Sequence, residues 1–452
     1  MSQLTPMVMA FCLTVGTLLF VVLLYASLVF VKEKEVRATN RSLLLLFLLP
    51  TPFLAAHQLD LVFLAFALMG ACLLLLILFL IPFPTRKDLC EDYPLGQLDE
   101  RDIMFSRNEL QPDTHHYNEY YQNHPEKKIL DDAFRKEAGL GSKDSLFYHP
   151  LAFASAEASF FAVEQLKNAV DGPINPIQQQ IDPLKISHYL KQWTCKLGAL
   201  DSGITELQPY HFYSHKGRGE NYGTQIESDH SFALAFTVEM CEEMVQAAPQ
   251  SPIIMESAQQ YLDAGRIAIQ VAAFIRQLGY SARAHIDGNY QVVCPLVARD
   301  AGLGEIGRMG LLMTPKQGPR VRIAVVTTNL KLKADRWKKS HSTLDFCYHC
   351  KKCAEVCPSK SISFDAPQMV EGIRRWQINS ENCFTYWCKA GTDCGRCMAT
   401  CPYSHPDNAL HNSIRWGIRK SSFFRRLAVH LDDFFYGRKP KAGRVPEWIG
   451  GK

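Results

Sequence analysis

Residues 346–358 read FCYHCKKCAEVCP, and residues 394–402 read CGRCMATCP. In the first stretch Cys347, Cys350, Cys353 and Cys357 stand at C-x2-C-x2-C-x3-C spacing, with Pro358 next. Three thiolates on one tight loop reach three corners of an iron–sulfur cubane, while the fourth is carried away on a helix to a neighbouring cluster. A second copy is then required. Cys394, Cys397 and Cys401, followed by Pro402, supply it, and Cys383 precedes them at a longer interval. The spacing predicts two 4Fe-4S clusters, one on Cys347, Cys350, Cys353 and Cys401, the other on Cys383, Cys394, Cys397 and Cys357. Cys388 is surplus and stands at a workable distance from Cys394 too, so it competes with Cys383, which is preferred. Zinc needs four ligands per ion and neither the three-plus-one spacing nor the prolines.

Nine of the fifteen cysteines lie between Cys347 and Cys401, while Cys12, Cys72, Cys90, Cys195, Cys241 and Cys294 are scattered. A secreted disulfide framework is spread more evenly and belongs to small domains, so reduced thiolates on metal are expected. The net charge of +4 over 452 residues is too small and dispersed to suit nucleic acid, and no nucleic-acid partner is expected.

The first 84 residues read as membrane. Residues 6–31 carry no charged side chain, which at ~1.5 Å rise per residue exceeds a bilayer core of ~30 Å. No basic start or small-residue cleavage site marks a removable signal peptide. Residues 61–83 form a second apolar run. Between them, residues 42–56 contain Pro50 and Pro52, and either span as a kinked helix or dip in and return. Lys32, Lys34, Arg37 and Arg41 follow the first run, and Arg86 and Lys87 follow the last. Basic residues close to spans favour the cytoplasm. Three spans with the N-terminus outside satisfy both groups, giving a multi-pass protein of the cell inner membrane with its soluble part in the cytoplasm. The absence of a twin-arginine stretch near Met1 agrees with that placement.

Residues 85–165 are polar, aromatic and broken by Pro, and read as a wrapping segment that runs into an apolar helix at 151–170. The next part, residues 166–340, alternates helix and strand. Residues 186–197 have helical spacing, FALAFTVE (232–239) reads as a buried strand, residues 255–278 as a long helix stopped by Gly279, and VRIAVVT (321–327) as another strand. This is an α/β or α+β core large enough to enclose a sizeable cofactor. A loop-rich stretch from His285 to Arg320 is dense in Gly, for close approach to a ligand or simply for tight turns. Its GLGEIG lacks the strand-then-helix context of a dinucleotide site. Residues 341–410 are the two-cluster module. The basic tail, 411–452, mixes Arg415, Arg419, Lys420, Arg425 and Arg426 with Trp416, Phe423, Phe424 and Leu427. It suits either an anionic membrane surface or packing on the core.

Several ordered segments carry a resemblance: RDIMFSR (101–107), YYQNHPEKK (120–128), RQLGYSARAHIDGN (276–289), DAGLGEIGRMGLLMTP (300–315), GPRVRIAVVTTNL (318–330) and CGRCMATCPYSHP (394–406). From about Glu100 to Pro440 the chain resembles the corrinoid-dependent reductive dehalogenases and, more distantly, the epoxyqueuosine reductases. The resemblance implies a nitroreductase-like α/β core that binds a cobamide, a ferredoxin-like module packed against it, and an N-terminal bundle of about three transmembrane helices fused on. It implies a base-off cobamide without a histidine ligand from the protein. The only Asp-His pair, Asp229 and His230, continues SFA and lacks the DHxxG pattern of proteins that supply such a ligand.

By family position Tyr261 is the expected proton donor and Arg322 the cation that lowers its pKa. The third position falls on HIDGN, with Asn289 preferred and His285 and Asp287 behind it. Gly302, Gly304, Gly307, Arg308, Gly310 and His285 are the expected cofactor contacts. The implied reaction replaces halogen by hydrogen on an organohalide, with membrane lipid around the spans and a quinol, ferredoxin or flavoprotein as electron donor. Two other readings are an iron–sulfur electron carrier of the membrane with no substrate, and an epoxyqueuosine-reductase-like enzyme.

Overall fold

The computed structural model describes residues 4–82, 85, 89, 93–335, 339–370 and 373–450. Phe83, Arg86, Lys87 and Cys90, used in the readings above, lie outside the described residues. The chain forms two compact units: residues 1–86 with 407–440, and residues 87–406 with 441–452.

In the first unit Leu4–Lys32 is one helix, Val36–Leu48 and Pro50–Gln58 follow each other with a break only at Leu49, and Val62–Leu80 is a third. All three stretches are long and apolar enough to cross a membrane. The middle stretch is helical on both sides of Leu49: Pro50 interrupts the backbone ladder without turning the chain back. It begins earlier than its apolar run because Arg37 and Arg41 sit in its first turns and send their guanidinium groups to the Phe434 carbonyl. Small residues let the helices close up. A Cβ on Gly16 would come within 3.0 Å of Phe53 and Leu54, and Ser27 Oγ donates to Ser42 Oγ at 2.9 Å. Met7, Leu18 and Phe63 point outward and are exposed, as lipid-facing side chains would be.

The tail divides: residues 411–440 belong to this unit, while 441–452 belong to the second, where Ile449 packs with Phe153 and Ile254. Its helices Ala409–Lys420 and Ser422–Phe435 have strongly two-sided sequences. The apolar side meets the spanning helices: Phe30 packs on Phe435 and Tyr436, and Trp416 stacks on Phe79 at 5.9 Å.

The second unit is built on a four-stranded sheet of β1 (Asp201–Glu206), β2 (Phe232–Glu239), β3 (Ala282–His285) and β4 (Val321–Thr328). The order is β1-β2-β4-β3 and every pair is antiparallel. Period-two alternation sends Leu234, Phe236 and Val238 of β2 to one face, where they pack with Ile267, Val271 and Ile275 of the long helix. Ala233 and Ala235 face the other way, toward Val297 and Ala298 of the helix Cys294–Asp300. Both faces are therefore dry, which is why β2 reads as a continuous apolar run. The long helix runs Pro252–Gln277, with Pro at its first turn, and Gly279 beyond its end has φ +87°, the left-handed geometry a helix stop requires.

The wrapping segment forms short helices and is fastened to the cluster module by charge. Arg107, 1% exposed, pairs through Nε with Asp131 at 2.8 Å and through Nη2 with Glu381 at 2.9 Å. Glu381 lies on the module helix Ser380–Ala390.

Candidate active site

Three separate segments bring one group of side chains together. The long helix contributes Ser257 and Tyr261, one turn apart and so on the same side. β4 contributes Arg322, opposite Val238 of β2. The cluster module contributes Asp393, the residue before Cys394. Arg322 Nη2 donates to Asp393 Oδ2 at 2.7 Å and to Ser257 Oγ at 2.5 Å, and Ser257 Oγ donates to the same carboxylate. Arg322 Nη1 faces Met240 Sδ at 3.3 Å. The guanidinium carbon stands 4.9 Å from the centre of the Tyr261 ring, a cation–π contact. Two buried polar atoms in this group have no partner in the structure, Arg322 Nε and Asp393 Oδ1.

Tyr261 and Arg322 line a cavity of about 220 Å³ with Tyr213, Tyr290, Cys294 and an apolar wall that includes Leu311, Leu312 and Pro319. Burial pushes the Tyr261 phenol up to about 12; Arg322 pulls the other way, and Asp287 and Asp393 oppose it. The expected lowering by Arg322 thus exists but does not win. Burial disfavours the Arg322 cation too, yet Tyr261, Asp393 and Asp287 outweigh it and raise its pKa. Arg322 remains charged beside a phenol that keeps its proton.

At the HIDGN loop Asn289 and Asp287 have different partners, and neither lines the cavity. Asn289 Oδ1 accepts a hydrogen bond from Arg283 at 2.8 Å. Asp287 is the group whose charge acts on both Tyr261 and Tyr290. Burial raises its own pKa, with Arg218, Lys167 and Arg322 opposing. His285 is fully buried: Nε2 meets Thr327 Oγ1 at 2.9 Å and Nδ1 accepts from the Gln291 amide at 3.1 Å. His230 is similarly engaged, on Thr327 Oγ1 at 2.7 Å and Ser281 Oγ at 2.8 Å. Both ring nitrogens of both histidines are used within the fold.

The expected cofactor contacts serve the protein itself. A Cβ on Gly304 would lie 2.3 Å from the Met313 carbonyl oxygen, and one on Gly307 would lie 2.6 Å from the Met313 side chain. Gly302 and Gly310 have φ of +85° and +76°, so their absence of Cβ serves turns. Arg308 is buried and brackets the first cysteine loop. It donates to the carbonyls of Cys347 at 3.1 Å, Ser363 at 2.7 Å and Asp365 at 2.8 Å, and lies over the Trp376 ring. None of these six residues lines the 220 Å³ cavity or the larger one of about 930 Å³. The larger cavity, at the opposite end of β4, is walled by Gln208, Tyr210, Asp300, Lys331 and Lys333 among others. Replacing Arg308 with Ala strands several buried carbonyls, and we expect a loss of roughly 3 kcal/mol or more and lower iron occupancy, read by thermal unfolding and iron analysis.

The cysteines fall into two sets. Burial raises the Cys401 thiol, and the neighbouring sulfurs that add to this are Cys347, Cys350 and Cys353. Burial likewise pushes Cys394 and Cys383 up to about 12, with Cys357 acting on both. For Cys397 the added contributions come from Cys394, Cys383, Cys353 and Cys357. Cys388 keeps other company: it is buried with Phe134 and Phe384. Cys383, not Cys388, is the thiol brought to Cys357, Cys394 and Cys397. Lys351 and Cys394 hold φ of +58° and +56°, which bends each loop around its sulfurs. Among the described residues no three His, Cys, Asp or Glu side chains converge as ligands of a single ion.

Residues of this group that the sequence did not single out are Asp393, Ser257, Tyr213 and Tyr290. Ser257 carries the one available signal, its four-residue offset from Tyr261.

A family model described as a 4Fe-4S dicluster domain matches residues 346–405. The tetrachloroethene reductive dehalogenase of Sulfurospirillum multivorans is 31% identical over 306 residues, covering 60% of this chain and 60% of that protein. A solved reductive dehalogenase structure, described as suggesting a mechanism for B12-dependent dehalogenation, aligns with TM-score 0.59 and 27% identity, over 69% of this chain and 46% of that one. Epoxyqueuosine reductase of Lactococcus garvieae is 28% identical over 119 residues, 25% of this chain and 32% of that protein. The chain spans about 60% of the length of the first of these relatives. By sequence and by fold, this chain is similar to reductive dehalogenases over part of their length, and its residues 346–405 match a 4Fe-4S dicluster domain.

Proposed function

We propose that the chain is a membrane-anchored reductive dehalogenase that uses a base-off cobamide and two 4Fe-4S clusters to replace halogen by hydrogen on an organohalide. The observation that carries this reading is the Tyr261–Arg322–Asp393 group. A proton-bearing phenol and its cation face a cavity, and the carboxylate holding that cation belongs to the cysteine loop. A source of protons and a route for electrons meet at one place.

In this reading Cys347, Cys350, Cys353 and Cys401 hold one cluster and Cys383, Cys394, Cys397 and Cys357 the other. Iron would take the buried thiols as thiolates, the form that burial alone disfavours. The engagement of both ring nitrogens of His230 and His285 fits a cobamide that needs no protein histidine. The apolar wall of Leu311, Leu312 and Pro319 would hold it, facing Tyr261. At about 220 Å³ this cavity is below the ~300–1,000 Å³ usual for bound ligands. A cobamide would therefore require the lining to move; Tyr290 and Pro319 stand outside the strands, whereas Leu312 is paired with Ile306.

When bound, the corrinoid supplies the electrons that break the carbon–halogen bond. The rest falls to the chain. The net change is two electrons and one proton taken up and one halide released. Tyr261 gives its phenolic proton to the carbon that loses halide, and the nearby Arg322 cation stabilises the phenolate left behind. The wall excludes water, which strengthens that attraction. A carrier without a substrate would leave the cavity and its tyrosine idle, and an epoxyqueuosine-reductase-like enzyme gains nothing from the spanning helices. The test is halide release from brominated and chlorinated phenols and alkenes by the full chain, loaded with clusters and cobamide and fed by a low-potential artificial donor. Release from at least one class is expected; none from any, with both cofactors in place, would refute the reading.

For orientation, the basic turn after the first span and the exit of the third are on one side of the first unit. Tail residues reach both: Arg37 donates to the Phe434 carbonyl at 3.3 Å, and Arg425 donates to Thr85 at 2.9 Å. With the basic side inside, the C-terminal half lies in the cytoplasm. External protease on intact cells should leave that half uncut; its cleavage would reverse the assignment.

A further inference from the structure

We propose that the tail helices and the turn between the first two spans form a binding surface for the headgroups of anionic phospholipids. Exposed cations cluster there: Lys32, Lys34, Arg419, Lys420, Arg426 and Lys439. Among the described acidic residues of 32–41 and 407–440, Asp407 alone is exposed. Glu35 and Asp433 are half-buried, and Glu33 and Asp432 turn inward. Glu33 accepts from Asn408 at 3.1 Å and from Tyr436 at 3.2 Å and meets His411 Nε2 at 2.9 Å, and Asp432 is buried. The fold thus covers most of the carboxylates in part or in full, and leaves the ammonium and guanidinium groups named above exposed.

The height of the surface is set by Trp416. Its indole stacks on Phe79, in the last turns of the third spanning helix, yet remains 50% exposed. An indole at the end of a span belongs at the headgroup level, with one edge in hydrocarbon and one in water. Arg419 and Lys420 follow within the next turn of the same helix. A helix with its apolar side against the spans and its basic side exposed at that level faces headgroups, and negative ones by charge. The same side is the cytoplasmic one in the orientation above, where positive residues gather.

The measurement is lipid selectivity around the full chain, reconstituted in phosphatidylcholine bilayers, with spin-labelled phosphatidylglycerol and phosphatidylcholine as the probes. Wild type is expected to prefer phosphatidylglycerol by about threefold or more. The preference should fall to near one in Arg419→Gln/Lys420→Gln/Arg426→Gln and at high salt, and should persist in Arg419→Lys/Arg426→Lys, which keeps the charge. Equal association of both lipids with wild type, or an unchanged preference in the neutralised variant, would overturn the proposal. So would an acidic redox protein that binds this face in place of phosphatidylglycerol, because the surface would then be a docking site for a protein donor. Halide release plays no part in the readout, so its outcome is independent of the dehalogenase reading.

Discussion

Tyr261→Phe should lower halide release by roughly 10²- to 10⁴-fold, the range for removal of a positioned general acid. Only the hydroxyl is lost. The ring keeps its place between Phe160, 6.5 Å away centre to centre, and the Arg322 guanidinium at 4.9 Å, so folding, iron content and cobamide binding should match wild type. The loss should appear in kcat with little change in KM, because the phenol acts on the reacting carbon and not on substrate binding. In wild type the phenol is pushed up to about 12 by burial, against the opposing pull of Arg322. Deprotonation of Tyr261 therefore begins to remove the acid only as pH approaches that value, and no alkaline limb should arise from it near neutrality. A Tyr261→Phe enzyme with normal kcat would remove Tyr261 from the mechanism.

Asp393→Ala should have the second large effect, and chiefly on stability. The Arg322–Asp393 pair is little exposed, 12% and 10%, and removing one partner of such a pair leaves an uncompensated charge at a cost of about 3–5 kcal/mol. Ser257 cannot replace the carboxylate, since a hydroxyl carries no charge. The double variant Arg322→Met/Asp393→Ala should recover much of that stability, because no buried ion is left alone. Its activity should stay low, with the phenolate unsupported. Thermal unfolding in detergent and halide release, measured on the same preparations, separate the two effects. If Asp393→Ala and Arg322→Met destabilise additively, the pair contributes no coupling and the geometry at Asp393 has been misjudged.

The parts of this chain that were legible in the sequence are those where chemistry or burial acts locally. Cluster ligands must stand at fixed short spacings, so 347–357 and 394–401 announce themselves. β2 and β4 are sealed on both faces and written in apolar residues, and the long helix has a period and a stop. What was hidden depends on partners far along the chain. Arg322 and Asp393 are 71 residues apart, and nothing near Asp393 distinguishes it from a loop carboxylate. β3, ARAH, is short and carries polar residues, because Arg283 and His285 find partners inside the fold, so it passed for part of a loop. The glycines of 302–310 suggested close approach or tight turns, and both occur: Gly304 and Gly307 lie close to Met313, while Gly302 and Gly310 have positive φ. In the HIDGN loop Asp287 and Asn289 are two residues apart, yet the charge of one acts on the tyrosines while the other accepts from Arg283. For the tail two partners stayed open, because a two-sided helix reports that it has a partner, not which one.

Electrons from the two clusters must reach a corrinoid beside Tyr261, and cofactor content of the purified full chain tests this most directly. Reconstituted protein should contain iron and sulfide for two 4Fe-4S clusters and yield one corrinoid per chain on extraction. Iron and sulfide at that level with no corrinoid, from cells able to supply one, would contradict it.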